Sequence, residues 1–163
     1  MTLPPRAVEL MERLQLQPHP EGGFYREIFR SSLQVARQPD GQPRSALTSI
    51  YFLLPRGAFS RWHRVRADEA WHHYEGAPIE LMVLHPDATQ VETWLLGPAG
   101  DDTLPVRVVP ADAWQAARPV GDYALVGCTV GPGFEFSDFA LAADVPSDER
   151  PAELARTPYD ALL

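Results

Sequence analysis

His63, Glu69, His72 and His73 fall inside one stretch, GAFSRWHRVRADEAWHHYEG, from Gly57 to Gly76. Three of the five histidines of the chain stand there. An imidazole exchanges a proton near neutral pH, and a nearby carboxylate can orient it or balance its charge. The same nitrogen and oxygen donors can also hold a divalent metal. The chemically idle alternative is a half-exposed hairpin with a hydrated polar face. Which of these holds depends on the elements that carry the residues.

Those elements are mostly strands. One helix opens the chain over about 5–16, with Pro5 in its first turn and Val8, Leu10, Met11 and Leu14 on an apolar face. Pro18 and Pro20 stop it. Short runs rich in β-branched and aromatic residues follow: 23–29, 47–54, 59–65, 69–74, 78–84, 90–96, 106–110, 123–130 and 134–141. Glycine, proline and aspartate separate them, so the 17 prolines and 11 glycines punctuate turns. One helix followed by regularly spaced strands predicts an all-β protein, an antiparallel sandwich or barrel. Residues 36–45 read as a mobile loop, and the acidic tail as an arm over the surface.

Composition narrows the function. The chain has 163 residues, 45% of them hydrophobic and 22% charged, enough to close one core without disulfides. A net charge of −8 argues against nucleic acid and anionic membrane as partners. All 14 basic residues are arginine, which removes Schiff-base chemistry and a lysine base. The one cysteine, Cys128, sits in the apolar run ALVGCTV and reads as a packed small residue. The opening MTLPPRAVELMERL carries charge where a secretory leader would be apolar, and no run is long enough to span a membrane. A cytoplasmic protein is expected.

The spacing around His63 resembles the first motif of the cupins. Gly57, His63, Glu69 and Gly76 match four of its five fixed positions, with Val65 where a second histidine usually stands. VPADAWQAA (109–117) resembles a degenerate second motif, with Gln115 in place of its histidine. HPEGGFYRE (19–27), the WHR and DE-WH signatures over 62–72, and YALVGCTVGPGFEFSDF (123–139) resemble one branch more narrowly, the Cupin_5 (DUF985) family. That resemblance implies a double-stranded β-helix, the jelly roll of RmlC-like nucleotide-sugar epimerases. A single cupin domain is expected, with the roll over about 23–142 and an arm over 143–163.

The resemblance also implies roles. In the epimerases the histidine at His63's position removes a proton next to a carbonyl, so His63 is the expected base, with Glu69 beside it. Tyr25, Tyr51, Tyr74 and Tyr123 are candidate return acids. By likeness to the epimerase strand that lines the active site, Glu21, Arg26 and Glu27 are expected substrate contacts. Strand alternation adds Arg61 for an anionic group and Trp71 for stacking. The resemblance puts Gln115 at a usual cupin ligand position, where it is expected to bond a hydroxyl or carbonyl. The leading expectation is a small polar metabolite, sugar- or nucleotide-like, handled without a cofactor. The alternatives are a Zn, Ni, Fe or Mn enzyme using His63, Glu69 and His72, and a non-catalytic binding protein. Alternation puts His72 on the face opposite Glu69 unless a bulge intervenes, and His73 on the same face. A homodimer is expected, paired near 23–29 and 47–54.

Overall fold

The computed structural model of the chain describes residues 3–163. Helix α1 (Pro5–Leu14) ends where Gln15 takes a left-handed backbone, and its apolar face covers Leu53 and Leu125. Thirteen strands follow: β1 (Gln17–Pro18), β2 (Phe24–Arg30), β3 (Gln34–Ala36), β4 (Pro43–Ser45), β5 (Thr48–Pro55), β6 (Ser60–Val65), β7 (Asp68–Gly76), β8 (Ile79–Leu84), β9 (Glu92–Leu96), β10 (Val106–Val109), β11 (Trp114–Pro119), β12 (Tyr123–Gly131) and β13 (Phe139–Leu141).

Eleven of them form two antiparallel sheets in a jelly roll, and β3 and β4 pair separately. The first has the order β1-β2-β5-β12-β7-β10, the second β13-β6-β11-β8-β9. Phe52, Leu54, Trp71, Leu81, Val83 and Val126 fill the space between the sheets. Each such side chain withdrawn from water contributes about 1.5–3 kcal/mol. The outer face of the second sheet has its own apolar layer of Trp62, Met82 and Trp114. Leu154 and Leu162 of the C-terminal segment pack over it.

Register decides what can meet in the interior. Glu27 pairs with Ile50 and Ile50 with Cys128, while Thr48 pairs with Val130 and Val130 with Glu69. These two rows face the second sheet, where His63 pairs with Gln115. Carboxylate and imidazole therefore approach from opposite layers.

Two local expectations fail. Residues 36–45 are not a free loop: β3 and β4 pair as a hairpin, and Arg37 and Arg44 grip Asp138 from it. The 134–141 run is only partly a strand, because Phe136–Asp138 forms a 3-10 turn before β13. Strand β11 is read from sequence only as a motif, since Ala116 and Ala117 dilute its β-character.

Candidate functional site

A cavity of about 350 Å³ opens between the sheets, with His63, Glu21 and Glu69 at its buried side and Tyr25, Phe134 and Phe136 among its walls. His63 is 1% exposed, and Glu21 and Glu69 are each 7% exposed. Phe139 stacks on the His63 ring at 5.4 Å between centroids and helps hold it.

The His63 ring has a defined tautomer. Its Nδ1 lies 2.7 Å from the Arg61 carbonyl oxygen, an acceptor only, so Nδ1 carries a proton and donates. Nε2 lies 3.2 Å from Glu21 Oε2. The other oxygen of Glu21 accepts from Ser60 Oγ at 2.9 Å. A second imidazole, His19, is fixed in the opposite sense. Its Nδ1 accepts the Glu21 backbone N–H at 3.2 Å, leaving Nε2 as the donor.

Glu69 is held through a relay. Trp71 Nε1 donates to Gln115 Oε1 at 2.9 Å, which fixes the amide so that Gln115 Nε2 donates to Glu69 Oε2 at 2.6 Å. The Cys128 thiol lines the same cavity, and burial raises its pKa well above the usual thiol range.

Burial sets the protonation of the cluster. Desolvation raises the Glu21 pKa to about 8, against the hydroxyl of Ser60 and the charge of Arg61. It raises Glu69 to about 7, although His63 and Gln115 pull the other way. Both imidazoles are lowered, His63 by burial and His19 to about 3 by burial and then by the charge of His63. Neutral His63 beside protonated Glu21 is the resting state at neutral pH, with Glu69 near its midpoint.

A dependence of stability on pH follows. Free carboxyls titrate at 4.5, so above pH 6.5 the unfolded chain has ionised both glutamates while the fold still protonates them. Stability is then lost as pH rises through about 7 and about 8. The buried histidines act below their ordinary 6.5, where they favour unfolding as pH falls. From pH 6.5 to 9 the two glutamates together account for a loss of about 3 kcal/mol. Glu21→Gln is expected to remove most of it, as read from urea unfolding at each pH.

The glycines of HPEGGFYRE place Glu21. Gly22 has φ +110°, and a Cβ there would stand 2.1 Å from the Phe59 carbonyl oxygen. Only glycine lets this turn press against the residues before β6, where the Arg61 N–H donates to Glu21 O at 2.7 Å. Gly22→Ala is expected to lose about 2–3 kcal/mol in chemical denaturation.

Of the residues marked from sequence, His63, Glu69, Glu21, Tyr25 and Glu27 line the cavity. Arg26 borders it, but its guanidinium donates to Leu14 O on the helix side. Arg61 turns to Pro20 O, so it is no inward anion ligand. Trp71 and Gln115 support Glu69 from behind and do not form the wall. Of the four candidate tyrosines only Tyr25 reaches the cavity. Tyr51 and Tyr74 meet each other, and Tyr123 donates to Glu75. His19, Ser60 and Arg30 were missed; the HPEGG turn was the available signal for His19.

His72 must be corrected. The irregularity in the pairing of β7 with β12 lies between His73 and Glu75, so strict alternation holds from Glu69 to His72. His72 therefore lies on the outer face, stacked near Tyr74. It cannot join His63 and Glu69. The cupin metal set does not fit these residues: Val65 has no lone pair to give, and the Gln115 oxygen is taken by Trp71. Among the described residues no three His, Cys, Asp or Glu side chains are arranged to hold a metal. None of those residues forms a helix long and apolar enough to cross a membrane.

Solved structures share this architecture. A protein of Shewanella oneidensis, SO0799, is 34% identical over 99% of this chain and 98% of its own, with a TM-score of 0.78. A hypothetical protein from Leishmania major is 30% identical over 96% of each chain, with a TM-score of 0.80. Oxalate decarboxylase from Bacillus subtilis, 16% identical, shares the fold alone, over 87% of this chain and 36% of its own, at a TM-score of 0.58. No curated protein matches the chain. Residues 8–142 match Cupin_5, the DUF985 group of the cupin superfamily, and the chain belongs to that family.

Proposed function

We propose that this protein binds a small polar metabolite with a sugar-like, carbonyl-bearing body and moves a proton on the carbon beside the carbonyl. The observation that carries this reading is the 3.2 Å approach of His63 Nε2 to Glu21 Oε2 at the buried side of the cavity. Nε2 has the free lone pair, because Nδ1 is committed to Arg61 O. A bound substrate displaces the Glu21 contact. Nε2 then takes the proton of the C–H bond, and the electron pair of that bond forms a C=C bond. The carbonyl π pair moves onto oxygen, which takes the Glu21 proton. Where the α carbon bears a hydroxyl, the imidazolium returns its proton to the former carbonyl carbon. Glu21 takes the hydroxyl proton, and a carbonyl forms at the neighbouring carbon. The product is the isomer, and both groups are restored. Burial supports this pairing, since it keeps the base neutral and the acid protonated at the same pH.

The test is solvent-deuterium incorporation, by mass spectrometry, into metabolites retained on the purified protein and into a panel of aldoses and ketoses. Incorporation that disappears in His63→Gln supports the reading. Incorporation unchanged in that variant, or none with any retained compound, rejects it.

We also propose a homodimer. Ile28 and Phe29 on β2 and Leu47 just before β5 lie 38–52% exposed, apolar side chains in the segments expected to pair with a second copy. Light scattering at micromolar concentration is expected to give twice the chain mass; the single mass would reject it.

A further inference from the structure

Every cation near the cavity is already occupied. Arg30, at the mouth, donates Nε and Nη2 to the two oxygens of Glu27, each at 2.9 Å. Its Nη1 reaches Glu135 at 3.0 Å, and Nη2 also reaches the Phe134 carbonyl oxygen. Arg26 and Arg61 turn away to backbone carbonyls. The imidazoles of His19 and His63 are neutral through burial. Among the described residues, a phosphate or carboxylate entering this space would meet no unpaired guanidinium turned inward.

The carboxyls are in the opposite position. Glu21, Glu27, Glu69 and Glu135 line the cavity with two arginines, of which Arg30 is neutralised by Glu27 and Glu135 and Arg26 turns to Leu14 O. Glu69 is buried against the open volume and has the Gln115 amide as its side-chain donor, but no cation. A buried carboxyl gains most from a positive partner, because the low-dielectric surroundings weaken screening. Tyr25, Phe134 and Phe136 add ring surfaces that attract positive charge over their faces.

We infer that the ligand carries a positively charged nitrogen, a protonated primary or secondary amine seated against Glu69 and walled by aromatic rings, and bears no phosphate or carboxylate. This rests on the proton-transfer reading above and narrows its substrate to an amine-bearing carbonyl compound. Seating the ammonium ionises Glu69, so binding releases a proton to solvent near neutral pH.

The probes are ethylammonium, ethanol, acetate and inorganic phosphate, titrated into the full chain and followed by NMR of the His63 ring and the Cys128 amide. Ethylammonium is expected to give saturable shifts with proton release, and acetate and phosphate none. Glu69→Gln, checked for folding by thermal melting, is expected to weaken ethylammonium binding at least tenfold and leave the weak ethanol response unchanged. Saturation by acetate or phosphate overturns the inference. So does an absent ethylammonium response, or one unchanged in Glu69→Gln. Deuterium incorporation separates the two claims. Exchange of a neutral sugar without ethylammonium binding sinks only this inference, and ethylammonium binding without His63-dependent exchange sinks only the proton-transfer reading.

Discussion

His63→Gln is expected to lower the rate of solvent-deuterium incorporation by about 10²–10⁴-fold, the usual contribution of one positioned acid–base group. Glutamine keeps an N–H that can reach Arg61 O and an oxygen to face Glu21, so the site keeps its shape. What it lacks is a lone pair that can hold a proton at neutral pH. Glu21→Gln complements it: the amide still accepts from Ser60 and donates toward His63, but has no acidic proton to give. Both variants are expected to lose exchange, and only Glu21→Gln is expected to gain stability at alkaline pH. A structural role alone would couple those two properties. Exchange rates and urea unfolding on the same samples check the separation.

Asp138→Ala is expected to destabilise the protein by about 3–5 kcal/mol, the range for removing one partner of a buried ion pair. Asp138 takes Arg44 Nε at 2.7 Å and Nη2 at 2.8 Å, and Arg37 Nη1 on one of the same oxygens. The Arg37 side chain is 5% exposed and that of Arg44 11%; if the carboxylate goes, Arg37 keeps Asp40, but Arg44 is left buried without a charge partner. The hydrogen bond from Arg44 and then that from Arg37 hold Asp138 below the usual carboxylate range. This contact joins the β3–β4 hairpin to the 3-10 turn after Phe134. Loosening it frees the aromatic wall of the cavity as well as the hairpin. A urea midpoint shifted by under 1 kcal/mol would mean that the network is solvated in the folded state.

The fold was legible because its strands declare themselves. Val, Ile, Phe and Tyr runs between Gly and Pro clusters mark β2, β5, β8 and β12 to within a residue or two. The helix and its apolar face were equally plain. The failures share a cause. The β3–β4 hairpin has no apolar run and is fixed by Arg37, Arg44 and Asp138, whose sequence separation of about a hundred residues hides the contact. Long-range ion pairs leave no local pattern.

The site was legible in part for similar reasons. His63 and Glu69 were found because motif spacing records which residues face inward. His72 was misplaced in the metal alternative because that reading needed a bulge between it and Glu69; the irregularity lies further along, past His73. Arg61 alternates toward the interior, yet a long side chain can leave its face, and this one reaches Pro20 O. His19 escaped because the glycine turn folds it back against Glu21, an approach that depends on the left-handed backbone of Gly22 and Gly23. Cys128 was read as packing alone, although register puts it in the row facing the cavity.

The account stands on one arrangement: a neutral His63 ring with its proton on Nδ1 and its lone pair on Nε2 facing a protonated acid. Long-range 15N–1H NMR of histidine-labelled protein reads this directly. At pH 7 the His63 Nδ1 signal is expected to be that of a protonated nitrogen and Nε2 that of a bare one, with the imidazolium forming only below the range of an ordinary histidine. A proton on Nε2 with a bare Nδ1, or a doubly protonated ring at pH 7, would contradict the arrangement and the chemistry built on it.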